Sequence, residues 1–144
     1  MEGGRRLIHT GIDDFRKVRE MNLIYVDKSE LISDILASPA DTFLFTRPRR
    51  FGKSLNLSML DCFFNMQYNG NRWFDGLKVM DDPKAVSWMN SRPVISFNMK
   101  DMPAKNFDLF LSKVSDRIAY LYGGYKYLRD SEMLDDADRR LFEL

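Results

Sequence analysis

The stretch from Thr42 to Phe64 constrains the fold of this chain more than any other. Five residues that favour strands, Thr42-Phe43-Leu44-Phe45-Thr46, lead into the basic loop Arg47-Pro48-Arg49-Arg50-Phe51-Gly52. Leu55, Leu57, Met59, Leu60, Phe63 and Phe64 then recur at helical spacing and predict a helix buried on most of its circumference. Strand, tight loop and helix in that order predict an α/β fold in which a buried central strand aims the loop.

Gly52-Lys53-Ser54 sits where a phosphate-binding loop of the Walker type would place its chemistry. Such a loop needs a glycine at a tight turn, consecutive N–H groups to cradle phosphate oxygens, a lysine for the outer phosphates and a hydroxyl for magnesium. The start of the helix adds a favourable field for an anion. Lys53 is then expected to contact the β and γ phosphates and Ser54 to hold the metal. The first glycine of the usual pattern is replaced by Arg47, so the loop has a different lead-in, with Pro48 as a rigid element. Arg49 and Arg50 would support a triphosphate or a neighbouring acidic group. Together with Arg47 and Lys53 they could instead form a local patch for a nucleic-acid backbone.

The remaining elements follow from shorter patterns. Leu7, Ile8, Ile12, Phe15 and Val18 suggest an extended lead-in and a short helical turn, and Asn22 to Val26 reads as a brief strand. Asp27 with Glu30 three places on matches a capping box, so a helix should begin there, with Leu31, Ile32, Ile35 and Leu36 as its buried stripe. Asp82-Pro83 should open a short helix reaching about Asn90. Val94 to Asn98 reads as a second interior strand, and Phe107 to Tyr122 as a longer helix that Gly123-Gly124 interrupts or ends. The segment from Tyr125 on is expected to be helical and solvent-facing.

Composition excludes several classes. With 144 residues the chain suits one domain, and 22 basic against 21 acidic residues leave a net charge of +1, too small for a general nucleic-acid coat. A lone cysteine, Cys62, and a lone histidine, His9, supply neither an intrachain disulfide nor a usual zinc site. Cys62, beside Phe63 and Phe64, reads as a buried thiol. Hydrolysis would need an acidic residue ending a neighbouring strand, for which Asp101 is a weak candidate. No stretch approaches the roughly 18 apolar residues of a membrane helix, so a cytoplasmic protein without a membrane partner is expected.

Taken together, these segments resemble the AAA-ATPase-like domain of bacterial proteins that often carry a C-terminal PD-(D/E)XK nuclease-like domain. The resemblance runs through Gly11 to Phe15, Tyr25 to Lys28, Leu44 to Leu60, Phe63-Phe64, Phe74 to Leu77 and Pro93 to Ile95. In that family the run from Arg47 to Ser54 is the usual form of the phosphate loop. The resemblance implies a partial P-loop NTPase-like domain over residues 1–144, with parallel strands and flanking helices. Its Walker B strand and any nuclease-like domain would lie beyond this sequence.

The function expected on this basis is binding of ATP or another nucleoside triphosphate, with Mg2+, through Arg47, Pro48, Arg49, Arg50, Phe51, Gly52, Lys53, Ser54 and Leu55. Ser54 is the expected metal ligand. Hydrolysis would depend on residues farther downstream, and the chain alone is expected to be inactive. An incomplete sheet would leave an apolar edge exposed and favour self-association. The alternative is a non-catalytic protein-interaction or regulatory module. A nucleic-acid-binding module is a third reading, and nucleic acid could also be met through the nuclease-like domain.

Overall fold

In a computed structural model the described residues are 11–99 and 102–142. His9 and Asp101 lie outside them, as does the lead-in at Leu7 and Ile8. The chain divides into two compact units, one up to Val94 and one from Ile95 on.

Helices and short turns build the first unit. Asp14 caps α1 (Phe15–Glu20) by accepting from the Lys17 N–H, and Phe15 and Val18 face inward. The second helix, α2 (Glu30–Ala37), starts later than the capping box suggests. Ser29 stands at its N-cap, while Asp27 Oδ1 accepts from the Ser29 N–H at 2.8 Å. The long helix α3 (Lys53–Phe64) follows Gly52, whose φ of 75° is the left-handed conformation that glycine adopts without strain. Two one-turn 3-10 helices, Met66–Tyr68 and Lys78–Asp81, then lead to α4 (Pro83–Val86). Asp82 caps α4 by accepting from the N–H groups of Lys84 and Ala85, and Pro83 takes the first turn as the sequence indicates.

The core of this unit is a cluster of Phe15, Ile32, Met59, Cys62, Phe63, Phe74, Leu77, Val79 and Ala85. Phe74 is its centre, with ring centroids 4.9 Å from Phe15 and 5.1 Å from Phe63. Cys62 is buried here, and desolvation pushes its thiol up to about 12, so it behaves as a small apolar side chain.

No β-sheet forms among the described residues, and the expected α/β fold with parallel strands and flanking helices is corrected on this point. Only an isolated parallel bridge joins Asn65 to Arg92. Asn22 to Val26, Thr42 to Thr46 and Val94 to Asn98, all read as strands, carry no strand assignment. Strand propensity measures how well a side chain fits a pleated, half-buried surface, and it needs a neighbouring backbone to become a sheet. Here helix faces and 3-10 turns fill the core instead. Thr42 to Thr46 stays outside it, fully in the exposed class.

The second unit holds α5 (Phe107–Gly124), a 3-10 helix at Lys126–Asp130 and α6 (Asp136–Phe142). Asn106 caps α5 through the Leu109 N–H, and the helix ends at Gly124 as its glycine pair suggests. The α6 start is set by Asp135 Oδ1, which accepts from the Ala137 and Asp138 N–H groups, both at 2.8 Å. None of the described helices is long and apolar enough to cross a membrane.

One tie across the first unit makes its stability depend on pH. Asp27 Oδ2 accepts from the Lys78 N–H at 2.9 Å, fifty-one positions away, and Ser29 Oγ accepts from the Val79 N–H at 3.1 Å. Desolvation alone would raise the Asp27 carboxyl, but the Lys78 and Ser29 hydrogen bonds outweigh it and hold the group below its ordinary value. Its stabilisation is therefore fully present above the ordinary carboxyl value and is lost as pH falls through the lowered one. Asp27→Asn should cost about 1 kcal/mol at neutral pH after allowance for solvent screening. Urea unfolding of both chains should show that gap narrowing on acidification. A gap independent of pH would remove the carboxylate from the account.

Candidate functional site

The residues expected to bind phosphate form a connected turn at the start of α3. Arg47 and Pro48 end the irregular stretch, Arg49 and Arg50 make a turn, and Arg50 holds a left-handed φ of 68° without being glycine. Phe51 is 61% exposed, Ser54 is exposed, and Leu55 packs partly buried against the core. Gly52 accepts the first helical bond through its carbonyl from the Asn56 N–H at 2.9 Å. Glycine, lysine and serine thus occupy a helix start, as the sequence indicates.

What the loop presents differs from a phosphate cradle. The Lys53 ammonium donates to the carbonyls of both Arg47 and Pro48, the second at 3.0 Å, so the loop folds onto its own cation. Among the described residues no sheet lies behind it to aim consecutive N–H groups at a ligand. The expectation of a Walker A P-loop binding ATP or another nucleoside triphosphate with Mg2+ is therefore corrected. Its geometric premise, a strand of a parallel sheet feeding the loop, is not met. The Mg2+ expected with the nucleotide is corrected with it, while Ser54, its expected ligand, stands exposed in the first turn of α3. Among the described residues no group of three or more acidic, histidine or cysteine side chains could hold a metal.

Three of these residues, Arg47, Phe51 and Lys53, instead border an apolar groove of about 600 Å³. Phe43 and Phe45 form one wall, their rings stacked with centroids 6.5 Å apart and 11° between planes. That contact between positions i and i+2 is the alternation of an extended chain, and it sends Leu44 the other way, 85% exposed. Leu57 and Leu60 of α3 and Leu31 of α2 complete the apolar lining with Phe51. Lys28, Arg47 and Lys53 give the groove its charge, and no acidic side chain lines it. A second, smaller hollow of about 390 Å³ shares Lys28, Phe51 and Asn56 with the groove and is also lined by Gly52, Ile24, Tyr25 and Val26.

Of the groove's lining, Arg47, Phe51 and Lys53 belong to the segment expected to bind phosphate, whereas Lys28, Leu31, Phe43, Phe45, Asn56, Leu57 and Leu60 are not among the expected site residues. Leu57 belongs to the helical stripe expected to be buried, yet it is more than half exposed. A signal was present: Asn56, Leu57 and Leu60 share a helical face one turn beyond the loop, while Phe43 and Phe45 share a face of an extended segment.

Comparison with known proteins adds the family. An uncharacterized protein in the vnfD 5' region of Azotobacter chroococcum mcd 1 is 35% identical over 92 residues. That match covers 63% of this chain but 16% of the relative, so the chain corresponds to a small part of the length of that protein. No solved structure matches the chain. The sequence model described as "Predicted AAA-ATPase" matches residues 9–144, nearly the whole length, and by that match the chain belongs to this AAA-ATPase-like family.

Proposed function

We propose that this chain is a non-catalytic protein-interaction module, whose contact surface is the groove between the Phe43–Phe45 segment and α3. In the longer bacterial proteins that the family resemblance implies, it would serve contacts rather than chemistry. The observation that carries the reading is an apolar groove with an exclusively basic set of charges, Lys28, Arg47 and Lys53, bordered by exposed Phe51 and Leu57. Apolar lining favours burial of leucine or phenylalanine side chains. The three cations favour carboxylates at the rim and speed their encounter. A peptide that interleaves acidic and large apolar residues fits both demands.

Panning a random peptide library displayed on phage against the whole chain tests this. Sequences rich in Asp or Glu beside Leu or Phe should be enriched. Their affinity should fall about tenfold or more with Phe45→Asp and with Lys28→Glu, since each removes one kind of contact. Absence of enrichment, or binding indifferent to both substitutions, would overturn the reading. Displacement of the peptides by short oligonucleotides of any sequence, with steep salt dependence, would favour a nucleic-acid surface instead.

A further inference from the structure

The segment that walls the groove also has an unpaired backbone edge, and its sequence is self-complementary. Asp41-Thr42-Phe43-Leu44-Phe45-Thr46-Arg47 reads as a palindrome from Thr42 to Thr46, closed by opposite charges at its two ends. Between Thr42 and Thr46 there is no charge, glycine or proline to discourage pairing, the usual protection of an exposed edge. Among the described residues these five make no backbone hydrogen bond, and neither Asp41 nor Arg47 is in an ion pair.

We propose that two copies of this chain pair antiparallel through residues 41–47, about a two-fold axis at Leu44. In that register Leu44 faces Leu44, each Phe43 faces the partner copy at Phe45, Thr42 faces Thr46, and Asp41 faces Arg47. Every cross-strand pair is therefore like with like or acid with base, and the exposed Leu44 side chains cover one another. Hydrogen bonding at the Leu44 and Thr42–Thr46 pairs leaves the Arg47 carbonyl free for the Lys53 ammonium it already accepts.

Other registers are worse. A shift by one pair toward the loop sets Phe43 against Arg47 and brings Pro48, which has no N–H, into the ladder opposite Thr42. A shift the other way sets Asp41 against Phe45. Parallel pairing in register puts Asp41 beside Asp41 and Arg47 beside Arg47. Because side chains alternate, slips by one residue would turn the phenylalanines away from the groove face. A two-stranded ribbon is marginal when isolated, but here Phe43 and Phe45 of each strand also line a wall of their own groove.

The inference rests on the interaction-module reading and adds a second copy of the chain as a partner at the edge of the groove wall. Sedimentation equilibrium of the full chain tests it through the charges, which lie on the surface and outside the core. Asp41→Arg and Arg47→Asp should each weaken dimerisation about tenfold or more, because each places like charges opposite one another twice per dimer. The double exchange should return the dissociation constant to within about threefold of wild type. Mixing the two single variants should yield a heterodimer, since their charges are then complementary at both ends. A wild type that stays monomeric to about millimolar concentration overturns the pairing, as does a dimer indifferent to the single changes or not rescued by the double one. Asp41 does not line the groove. Peptide capture by the Asp41→Arg chain should therefore persist while its dimers are lost; capture by a wild type that stays monomeric removes the self-pairing alone, whereas a wild type that neither dimerises nor captures peptide removes the module as well.

Discussion

Phe74→Ala should lower the unfolding free energy of the unit up to Val94 by about 3–5 kcal/mol, the largest effect expected of any single change in it. The ring is fully buried and lies edge-on or tilted against Phe15 and Phe63, so its removal opens a hole between two aromatic neighbours. Both neighbours are held by other contacts: Phe15 by its N–H donating to Ser58 Oγ at 3.0 Å, Phe63 by its place in α3. They cannot move far to fill the space, and a cavity that stays open costs more than one that collapses. Domains of this size are stable by only about 5–15 kcal/mol, so urea unfolding should show a midpoint lowered by a large fraction. Phe51→Ala, at an exposed ring, should stay within about 0.5 kcal/mol. Equal effects at Phe74 and Phe51 would mean that this cluster is not the core.

Asn90→Ala should cost about 2–4 kcal/mol, large for a polar residue. The last carbonyls of a helix have no intrahelical partner, and α3 solves this with a residue distant in sequence. Asn90 Nδ2 lies 3.1 Å from the Cys62 carbonyl, 3.2 Å from that of Phe63 and 2.9 Å from that of Asn65. Its backbone N–H donates to the Phe63 carbonyl at 2.7 Å, and its Oδ1 accepts from Asn71 Nδ2 at 2.9 Å. Alanine would abandon these partly buried acceptors and would also have to hold a φ of 51°, a conformation costing L residues roughly 1–2 kcal/mol. Asn90→Gly removes only the hydrogen bonds and should be milder than alanine by about 1 kcal/mol. Thermal unfolding followed by circular dichroism separates the two terms. Both variants unfolding like wild type would show that α3 ends without this cap.

How far the sequence could be read depended on the range over which each feature is decided. Asp82 with Pro83 marks a helix start that forms as its local pattern indicates, because a cap is settled within about four residues, and Asp14 and Asn106 cap α1 and α5 over the same short range. Gly52-Lys53-Ser54 marks the start of α3 for the same reason. The three strand-like runs carried no such guarantee. A strand is completed by a partner far away in the chain, and Thr42 to Thr46 has the composition without the neighbour. Reading a phosphate loop from Gly52-Lys53-Ser54 failed at that step: the triplet is where a Walker loop would have it, but among the described residues the sheet that would aim it does not form.

Asp27 and Asn90 show the converse. Asp27 has the spacing of a capping box with Glu30, yet its second oxygen serves Lys78, and no local pattern announces that contact. Asn90 looks like a residue in a turn and is the closure of a helix that ended far upstream. The sequence by itself determined the starts of α3 and α4, the burial of Met59, Cys62 and Phe63, and the family to which the chain belongs. Only the tertiary structure decided that no sheet would form among the described residues, that Lys53 would turn onto the carbonyls of its own loop, and that Phe43 and Phe45 would wall a groove beside basic side chains. Helical propensity and capping act over one turn of chain, whereas sheet pairing, groove lining and the capture of distant carbonyls depend on which segments the packed core brings together.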